Sequence, residues 1–237
     1  MTQPTSSRRE ASSAERYLRT EFLRCVAHGL RSPLTVAKGA LAEMPGSAPE
    51  EIEFLTAMVQ RSLQRITHLA QQLDWLSELQ GDPLVAQRQP CDVSALLNEA
   101  QQAADLSKLQ VLTDLEEDLQ IDADRMLLLR ALGALLDNAR RFGKEKLRIR
   151  TATLQNGEVS ICIEDDGPGV AESRRATLFD PFIAAKARGA DTDLALGLPL
   201  AQAYVELHGG RIQLDASELG GLLCRILLPA GAGQEPA

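Results

Sequence analysis

The sequence contains no run of about 20 apolar residues, the length that a membrane-spanning helix needs, so membrane insertion is not expected. No apolar segment follows Arg8 and Arg9 at the N-terminus, which excludes a secretory signal. The four cysteines are scattered without a C-x-x-C pair, so neither a zinc site nor a disulfide framework is indicated. A net charge of −8 lacks the basic excess that nucleic-acid binding requires. These absences predict a reduced, soluble protein of the cytoplasm.

The first third of the chain has the pattern of two long amphipathic helices. After a polar leader at 1–12, expected to be disordered, the first helix is predicted over 13–44. The second begins after a turn at 45–49, with Glu50 at its positive end. Positions spaced alternately by three and four, apolar except for Ser62, form a stripe on each helix: Leu23, Val26, Leu30, Pro33, Ala37, Ala40 and Met44, then Ile52, Leu55, Val59, Ser62, Ile66, Leu69, Leu73 and Leu76.

Two such helices joined by a short turn predict an antiparallel hairpin over residues 13–80. Pairing of the hairpin with a second copy would bury its remaining apolar surface in a four-helix bundle, so a homodimer is expected. A monomeric hairpin packed on the rest of the chain is the alternative.

His28 stands out on the first helix. It lies two residues from Val26 and two from Leu30, so it should point away from the stripe and towards solvent. Pro33 removes a backbone N–H donor five residues later and should bend the helix. An exposed imidazole beside a bend suggests a reactive group, and an ordinary solvated histidine is the alternative interpretation.

The remainder of the chain predicts an α+β sandwich over 91–229, after a linker at 81–90 and before a flexible tail at 230–237. The dipeptide Asn156-Gly157, between two alternating segments, is a strong hairpin signal. Helices are predicted over 93–108, 122–142 and 198–208, and strands over 110–115, 119–121, 146–154, 158–164, 211–215 and 222–228.

The segment Phe22-Leu-Arg-Cys-Val-Ala-His28-Gly-Leu-Arg-Ser-Pro-Leu34 resembles the H-box of two-component histidine kinases. The resemblance implies that His28 is the phosphorylated residue and that Arg31 helps to dock the partner protein. Ser32 occupies the position that helps to orient water for dephosphorylation of the partner. Gly29 stands where the family has a carboxylate that takes a proton from the histidine. Loss of a general base slows such a step by roughly 10²–10⁴-fold, so a slower autophosphorylation is expected.

Further stretches resemble, in order, the ATP-binding boxes of the same family. Leu135-Leu-Asp-Asn138-Ala-Arg-Arg141-Phe142 is similar to the N-box, which implies that Asn138 is a Mg²⁺ ligand and that Arg141 and Phe142 lie beside the nucleotide. Asp165-Asp-Gly167-Pro-Gly169 is similar to the G1 box. There Asp165 would accept the adenine amino group, while the two glycines allow close backbone approach and positive φ.

The last two boxes are less complete. Residues 178–182 resemble the F-box, and 193–198 resemble the G2 box, with Gly197 and Leu198 at the nucleotide. Ala195 replaces a glycine of that box, and alanine at positive φ costs of order 1–3 kcal/mol. Asp191 and Asp193 put negative charge near the phosphates, which Lys186 and Arg188 partly offset. Nucleotide binding is therefore expected to be weak.

The resemblance covers residues 14 to 229. It implies a fold of class α + (α+β): a helical hairpin that dimerises as a four-helix bundle, followed by an α/β sandwich of the histidine-kinase ATPase type. The implied activity is that of a soluble, sensor-less histidine kinase that uses ATP and Mg²⁺. The implied partners are a response-regulator receiver domain and an upstream sensor or another histidine kinase. A phosphotransfer relay without ATP activity and a non-catalytic adaptor remain as alternatives.

Overall fold

A computed structural model describes residues 5–80, 85–180 and 196–230. The chain divides into two compact units: the hairpin unit contains the helical residues up to Ser77, and the sandwich unit contains residues 85–179 and 197–230. In the part of the chain that is described, no helix combines the length and the apolar character that crossing a bilayer needs.

The hairpin unit consists of helices α1 (Thr5–Glu43) and α2 (Pro49–Gln80). Helix α1 begins earlier than the expected start at Ser13, because no proline or glycine interrupts the chain between Pro4 and Gly29. The helix also continues through Pro33. Glu50 and Glu51 lie in the first turn of α2, where the helix dipole favours negative charge.

Each predicted stripe is buried only in part. Buried residues of the stripes are Pro33, Ala37 and Ala40 on α1 and Leu55, Ser62 and Leu69 on α2. The three buried positions of α2 are seven residues apart, and the stripe positions between them are only half-buried. One hairpin therefore buries only part of its apolar surface.

The sandwich unit alternates short helices and strands and ends in a β-hairpin. Its helices are α3 (Val93–Ala103), α4 (Arg125–Phe142), α5 (Glu172–Arg175), which leads into a 3-10 turn (Ala176–Phe179), and α6 (Gly197–Leu207). Its strands are β1 (Gln89–Asp92), β2 (Gln110–Asp114), β3 (Gln120–Ala123), β4 (Lys146–Thr153), β5 (Glu158–Asp165), β6 (Arg211–Ala216) and β7 (Leu222–Pro229).

Five strands form a mixed sheet in the order β2-β4-β5-β7-β6, in which only β2 and β4 are parallel. Strands β1 and β3 form a separate antiparallel pair. Helix α4 packs between α3 and α6. The core contains the alternate residues of the strands, such as Ile149, Ile161 and Ile226, each fully buried. The fold class predicted from the sequence, a helical hairpin followed by an α/β sandwich, is confirmed.

Two predicted helices are too long. The helix predicted from residue 122 begins at Arg125, because residues 122 and 123 belong to β3. Helix α3 ends at Ala103 rather than at Lys108, because Ala104 is extended (φ −87°, ψ 131°). The carboxylate of Asp105 then accepts hydrogen bonds from the hydroxyl (2.6 Å) and the backbone N–H (3.4 Å) of Ser107. Such local side-chain bonds offer the backbone an alternative to the helix.

Helix α4 is fixed at both ends. At its start the carboxylate of Asp124 accepts N–H bonds from Met126 (3.1 Å) and Leu127 (3.2 Å), while the backbone N–H of Asp124 donates to Nε2 of His208 at 2.9 Å. At its end the N–H of Gly143 donates to the carbonyl of Ala139 at 2.7 Å. These contacts hold the helix that carries much of the candidate site.

Candidate functional site

One face of α4 forms the base of the candidate nucleotide site. Ala134, Asn138 and Phe142 follow one another at intervals of four residues, so they lie on one face of the helix. Gly197, the first residue of α6, lies against the carbonyl of Ala134, since a Cβ added there would be 3.6 Å from that oxygen. Phe142 meets the loop after β5. Helix α4 therefore connects Gly197, Asn138 and the loop around Gly167.

Asp165 places a buried carboxylate at the end of β5. It faces the helices, in the same row as Ile161 and Ile163, and only 3% of it is exposed. Its Oδ1 atom accepts N–H bonds from Gly167 (2.8 Å) and Leu222 (3.3 Å). Burial raises the pKa of Asp165, and these two donors offset part of that effect. Both bonds from the described residues end on Oδ1, which leaves Oδ2 for a ligand.

Gly167 and Gly169 serve the two purposes expected of them. A Cβ at Gly167 would collide with the backbone carbonyl of Phe142 and lie 2.8 Å from Oδ1 of Asp165. Gly169 has φ +65°, a conformation that other residues rarely adopt. Close approach is therefore the requirement at the first glycine, and positive φ is the requirement at the second.

Sequence reasoning missed three residues that shape this site. The carboxylate of Asp166 accepts N–H bonds from Lys144 (2.8 Å) and Glu145 (3.2 Å), which ties the loop after α4 to the end of β5. Gly221 approaches Asp165 so closely that a Cβ there would overlap Oδ1. Leu222 supplies the second N–H donor to that atom. The Gly220-Gly221 pair before a predicted strand was the available signal, but its partner lies more than fifty residues away.

The remaining predicted nucleotide residues are placed as follows. The guanidinium of Arg141 lies 5.5 Å from the centre of the Phe142 ring, within cation–π range. Leu198 is buried in the first turn of α6. Lys186, Arg188, Asp191, Asp193 and Ala195 lie outside the described residues, so the strain expected at Ala195 stays a prediction.

The residues present fit an adenine nucleotide with Mg²⁺. Asp165 is buried as a residue, and its Oδ2 atom has no partner among the described residues, so this oxygen suits an amino group. Asn138 is half-buried, and its amide has no hydrogen-bond partner in residues 5–80, 85–180 and 196–230. Among the same residues no group of three acidic, histidine or cysteine side chains could hold a metal alone. Asn138 with the phosphates of a nucleotide suits Mg²⁺, which commonly uses few protein ligands.

In the hairpin unit, His28 and Arg31 are exposed, as expected from their positions off the stripe, and Ser32 is half-buried. Gly29 is buried, one residue from the exposed imidazole. No carboxylate follows the histidine, so residue 29 itself offers no group that could accept a proton.

A pair of glycine variants tests the close approach at Gly167. Gly167→Ala should lower the melting temperature of the sandwich unit, because its Cβ meets a backbone carbonyl that cannot move freely. Gly133→Ala is the control, since a Cβ there meets nothing within 4 Å and alanine is favoured in a helix interior by about 1 kcal/mol. Calorimetric unfolding should show opposite shifts. Equal shifts would contradict the steric account.

Two neighbouring carboxylates should respond to pH with opposite sign. The folded pKa of Asp165 is raised above its ordinary value of 3.8, so the folded state binds more protons and stability falls as pH rises from that value through the folded pKa. Asp165→Asn keeps the Oδ1 acceptor and should raise the free energy of unfolding at pH 7, with the gain vanishing towards pH 3.8. It should also weaken ATP binding about tenfold to a hundredfold, because the amide presents N–H where an acceptor is needed.

Asp166→Asn is the matched control. Burial alone would raise the pKa of Asp166, but backbone N–H donors lower it overall. Its contribution to stability is therefore present above the ordinary pKa and is lost as pH falls through the folded pKa. Urea unfolding between pH 4 and pH 8 should find this variant less stable than wild type at neutral pH. Stabilisation by both substitutions, or by neither, would refute the assignment.

Comparisons with known proteins agree with this geometry. The model of the His Kinase A (phospho-acceptor) domain matches residues 18–81. The model of the Histidine kinase-, DNA gyrase B-, and HSP90-like ATPase matches residues 123–232. The first match contains His28, and the second contains Asn138, Asp165 and the glycines beside it.

Relatives and solved structures add to this. The chain is 32% identical over 227 residues to the two-component sensor PhoQ of Pseudomonas aeruginosa, covering 92% of this chain and 48% of that protein. The structure of the Acinetobacter baumannii histidine kinase AdeS matches with a TM-score of 0.66 and 27% identity, over 86% of this chain and 98% of that one. The ATP binding domain of PrrB from Mycobacterium tuberculosis matches with a TM-score of 0.52 and 28% identity, over 62% and 99% respectively. The chain spans less than half of the curated relative. The two domain matches and the matching histidine kinases together show that the chain belongs to the histidine kinases of two-component systems.

Proposed function

We propose that this chain is an ATP-dependent protein-histidine kinase that phosphorylates His28 and passes the phosphoryl group to an aspartate of a response-regulator receiver domain. The observation that carries the proposal is Asp165, a buried carboxylate with one oxygen committed to backbone donors and the other left for a ligand. Burying a charged group is unfavourable unless it is hydrogen-bonded. A hydrogen bond from a nucleotide to the second oxygen would complete the partners of this carboxylate.

The residues of the sandwich unit would hold the nucleotide as follows. Oδ2 of Asp165 would accept a hydrogen bond from the adenine amino group, and Asn138 would contribute its amide oxygen to Mg²⁺. Arg141 and Phe142 would flank the nucleotide at the end of α4. Lys186, Gly197 and Leu198 would lie near the phosphates. When bound, ATP supplies the γ-phosphoryl group.

His28 is the proposed acceptor because its imidazole is exposed on α1. Since Gly29 carries no base, the proton that leaves the imidazole would go to solvent, and the transfer should be slow. Arg31, exposed one turn away, would contact the receiver domain. Ser32 would hydrogen-bond a water molecule during dephosphorylation of the partner.

We also propose that the hairpin unit forms a homodimer. Among the described residues of the hairpin, five large apolar side chains are about half exposed or more: Leu23, Leu34, Leu41, Phe54 and Leu63. Exposed apolar surface of this extent on a helical hairpin favours association with a second copy. The cytoplasmic location and an upstream partner stay predictions.

Substitutions of Gly29 test the missing base. Gly29→Glu should raise the rate of His28 phosphorylation, by up to the roughly 10²–10⁴-fold that a positioned base contributes. Glutamine has nearly the same size as glutamate but no basic carboxylate. Gly29→Gln therefore controls for the steric effect of a long side chain at this buried position. The rate is measured as acid-labile phosphate incorporated from labelled ATP, with His28→Gln as the blank.

Equal rates in the Glu and Gln variants would refute the assignment of residue 29. Incorporation of phosphate that survives in His28→Gln would refute His28 as the acceptor. A wild-type chain that takes phosphate only from a phosphorylated receiver domain, and not from ATP, would instead support the relay.

Sedimentation equilibrium tests the dimer. The wild-type chain should have twice the monomer mass, and Leu63→Glu should shift it to the monomer, because a charge replaces a side chain that is 54% exposed in one hairpin. Leu112→Glu is the control, since Leu112 is 40% exposed on β2 of the sandwich unit. A monomeric wild type, or equal effects of both substitutions, would contradict the proposed interface.

A further inference from the structure

An ionic network around one buried carboxylate lies on the outer face of the sheet, opposite the helices. Its centre is Glu164, which is 1% exposed and points away from the side that Asp165 faces. Arg148 donates to Glu164 through Nε (3.2 Å) and Nη2 (2.8 Å), and Arg150 does so through Nε (3.1 Å) and Nη2 (2.7 Å). Burial alone would raise the pKa of Glu164, but the two guanidinium groups lower it, so the carboxylate stays ionised.

The network extends into the turn between β6 and β7, which we call the 217–221 turn. The hydroxyl of Ser217 donates to Oε2 of Glu164 at 3.3 Å, and Nη2 of Arg148 donates to Glu218 at 2.7 Å. Within the turn, the N–H of Leu219 donates to the Ser217 hydroxyl at 3.0 Å. The N–H of Ser217 donates to the carbonyl of Gly221, also at 3.0 Å. Arg148 and Ser217 thus connect Glu164 to the turn, whereas the described contacts of Arg150 reach Glu164 alone.

The same turn ends against the nucleotide carboxylate. Gly221 lies so close to Asp165 that its backbone would not tolerate a Cβ, and Leu222 donates its N–H to Oδ1 of Asp165. A shift of the turn would therefore move both the Gly221 backbone, which packs against Asp165, and the Leu222 N–H, which donates to it. Glu164 and Asp165 are adjacent on β5, so their side chains point to opposite faces of the sheet. The turn is therefore held by Glu164 on one face and contacts Asp165 on the other.

We infer that Glu164, Arg148 and Ser217 are positioning residues for Asp165: through the 217–221 turn they hold its carboxylate in the orientation that selects an adenine base. The inference rests on the proposed nucleotide binding and extends it. None of the three contacts the nucleotide. Their effect passes through Gly221 and the N–H of Leu222.

Arg148→Gln and Arg150→Gln form a matched pair. Both arginines are on β4 and both form an ion pair with Glu164. Each substitution therefore removes one positive charge from beside this carboxylate. Only Arg148 also holds Glu218 in the turn. Ser217→Ala is the mildest variant, since it removes a single hydroxyl and leaves the ion pairs in place.

The first measurement is amide hydrogen exchange at Leu222, followed by NMR on the full chain. Ser217→Ala and Arg148→Gln should speed exchange of this amide about tenfold or more, while Arg150→Gln should leave it within about twofold of wild type. Equal exchange in the two arginine variants would overturn the inference, because the network would then only balance charge.

The second measurement is the ratio of affinities for ATP and GTP, which share the ribose and the phosphates. A purely structural defect lowers both affinities together, whereas a misplaced Asp165 lowers that for ATP alone. The ratio should fall about tenfold in Ser217→Ala and Arg148→Gln and stay unchanged in Arg150→Gln. An unchanged ratio in all three variants would overturn the role in selectivity. A wild-type chain that binds neither nucleotide would overturn the proposed function, and exchange at Leu222 would still decide whether the network holds Asp165.

Discussion

The geometry of the candidate site depends on the burial of one carboxylate. Asp165 stands at the end of a strand whose inward-facing residues are otherwise apolar, and its charge is stabilised mainly by two backbone N–H donors. Those donors can reach it only if the chain on both sides comes close, which explains the glycines at 167 and 221. The pKa of Asp165 is still raised, so the donors do not fully compensate for burial. Such an unfavourable free energy of burial is expected at a binding site, where the carboxylate interacts with a ligand.

The helices and sheet serve this carboxylate in different ways. Helix α4, capped by Asp124 and held by His208, brings Asn138 and Phe142 to the same region. On the outer face of the sheet, Glu164 holds the 217–221 turn, which contacts Asp165. Asp165 is therefore held between elements distant in sequence, and its position is a property of the whole sandwich unit.

The elements of the fold could be predicted where the signals were local. Asn156-Gly157 predicted the β4–β5 turn, with Gly157 at φ +78°. The start of α4 was predicted three residues too early, at Asp122, because Asp122 pairs with β1 and Asp124 is the cap. The end of α3 was predicted five residues too late, because the Asp105–Ser107 turn competes with the helix. Only the part of the site formed by residues close in sequence was predictable. Asp165 and Gly167 are a motif, whereas Leu222 reaches them across 57 residues, a separation that local patterns do not encode.

Calorimetric titration of the full chain with Mg-ATP tests most directly whether this site binds the nucleotide. We predict saturable binding of one nucleotide per chain, which weakens in Asn138→Ala only when Mg²⁺ is present and is lost in Asp165→Ala irrespective of the metal. Absence of binding by the wild-type chain at millimolar nucleotide, or binding that survives in Asp165→Ala, would contradict this prediction.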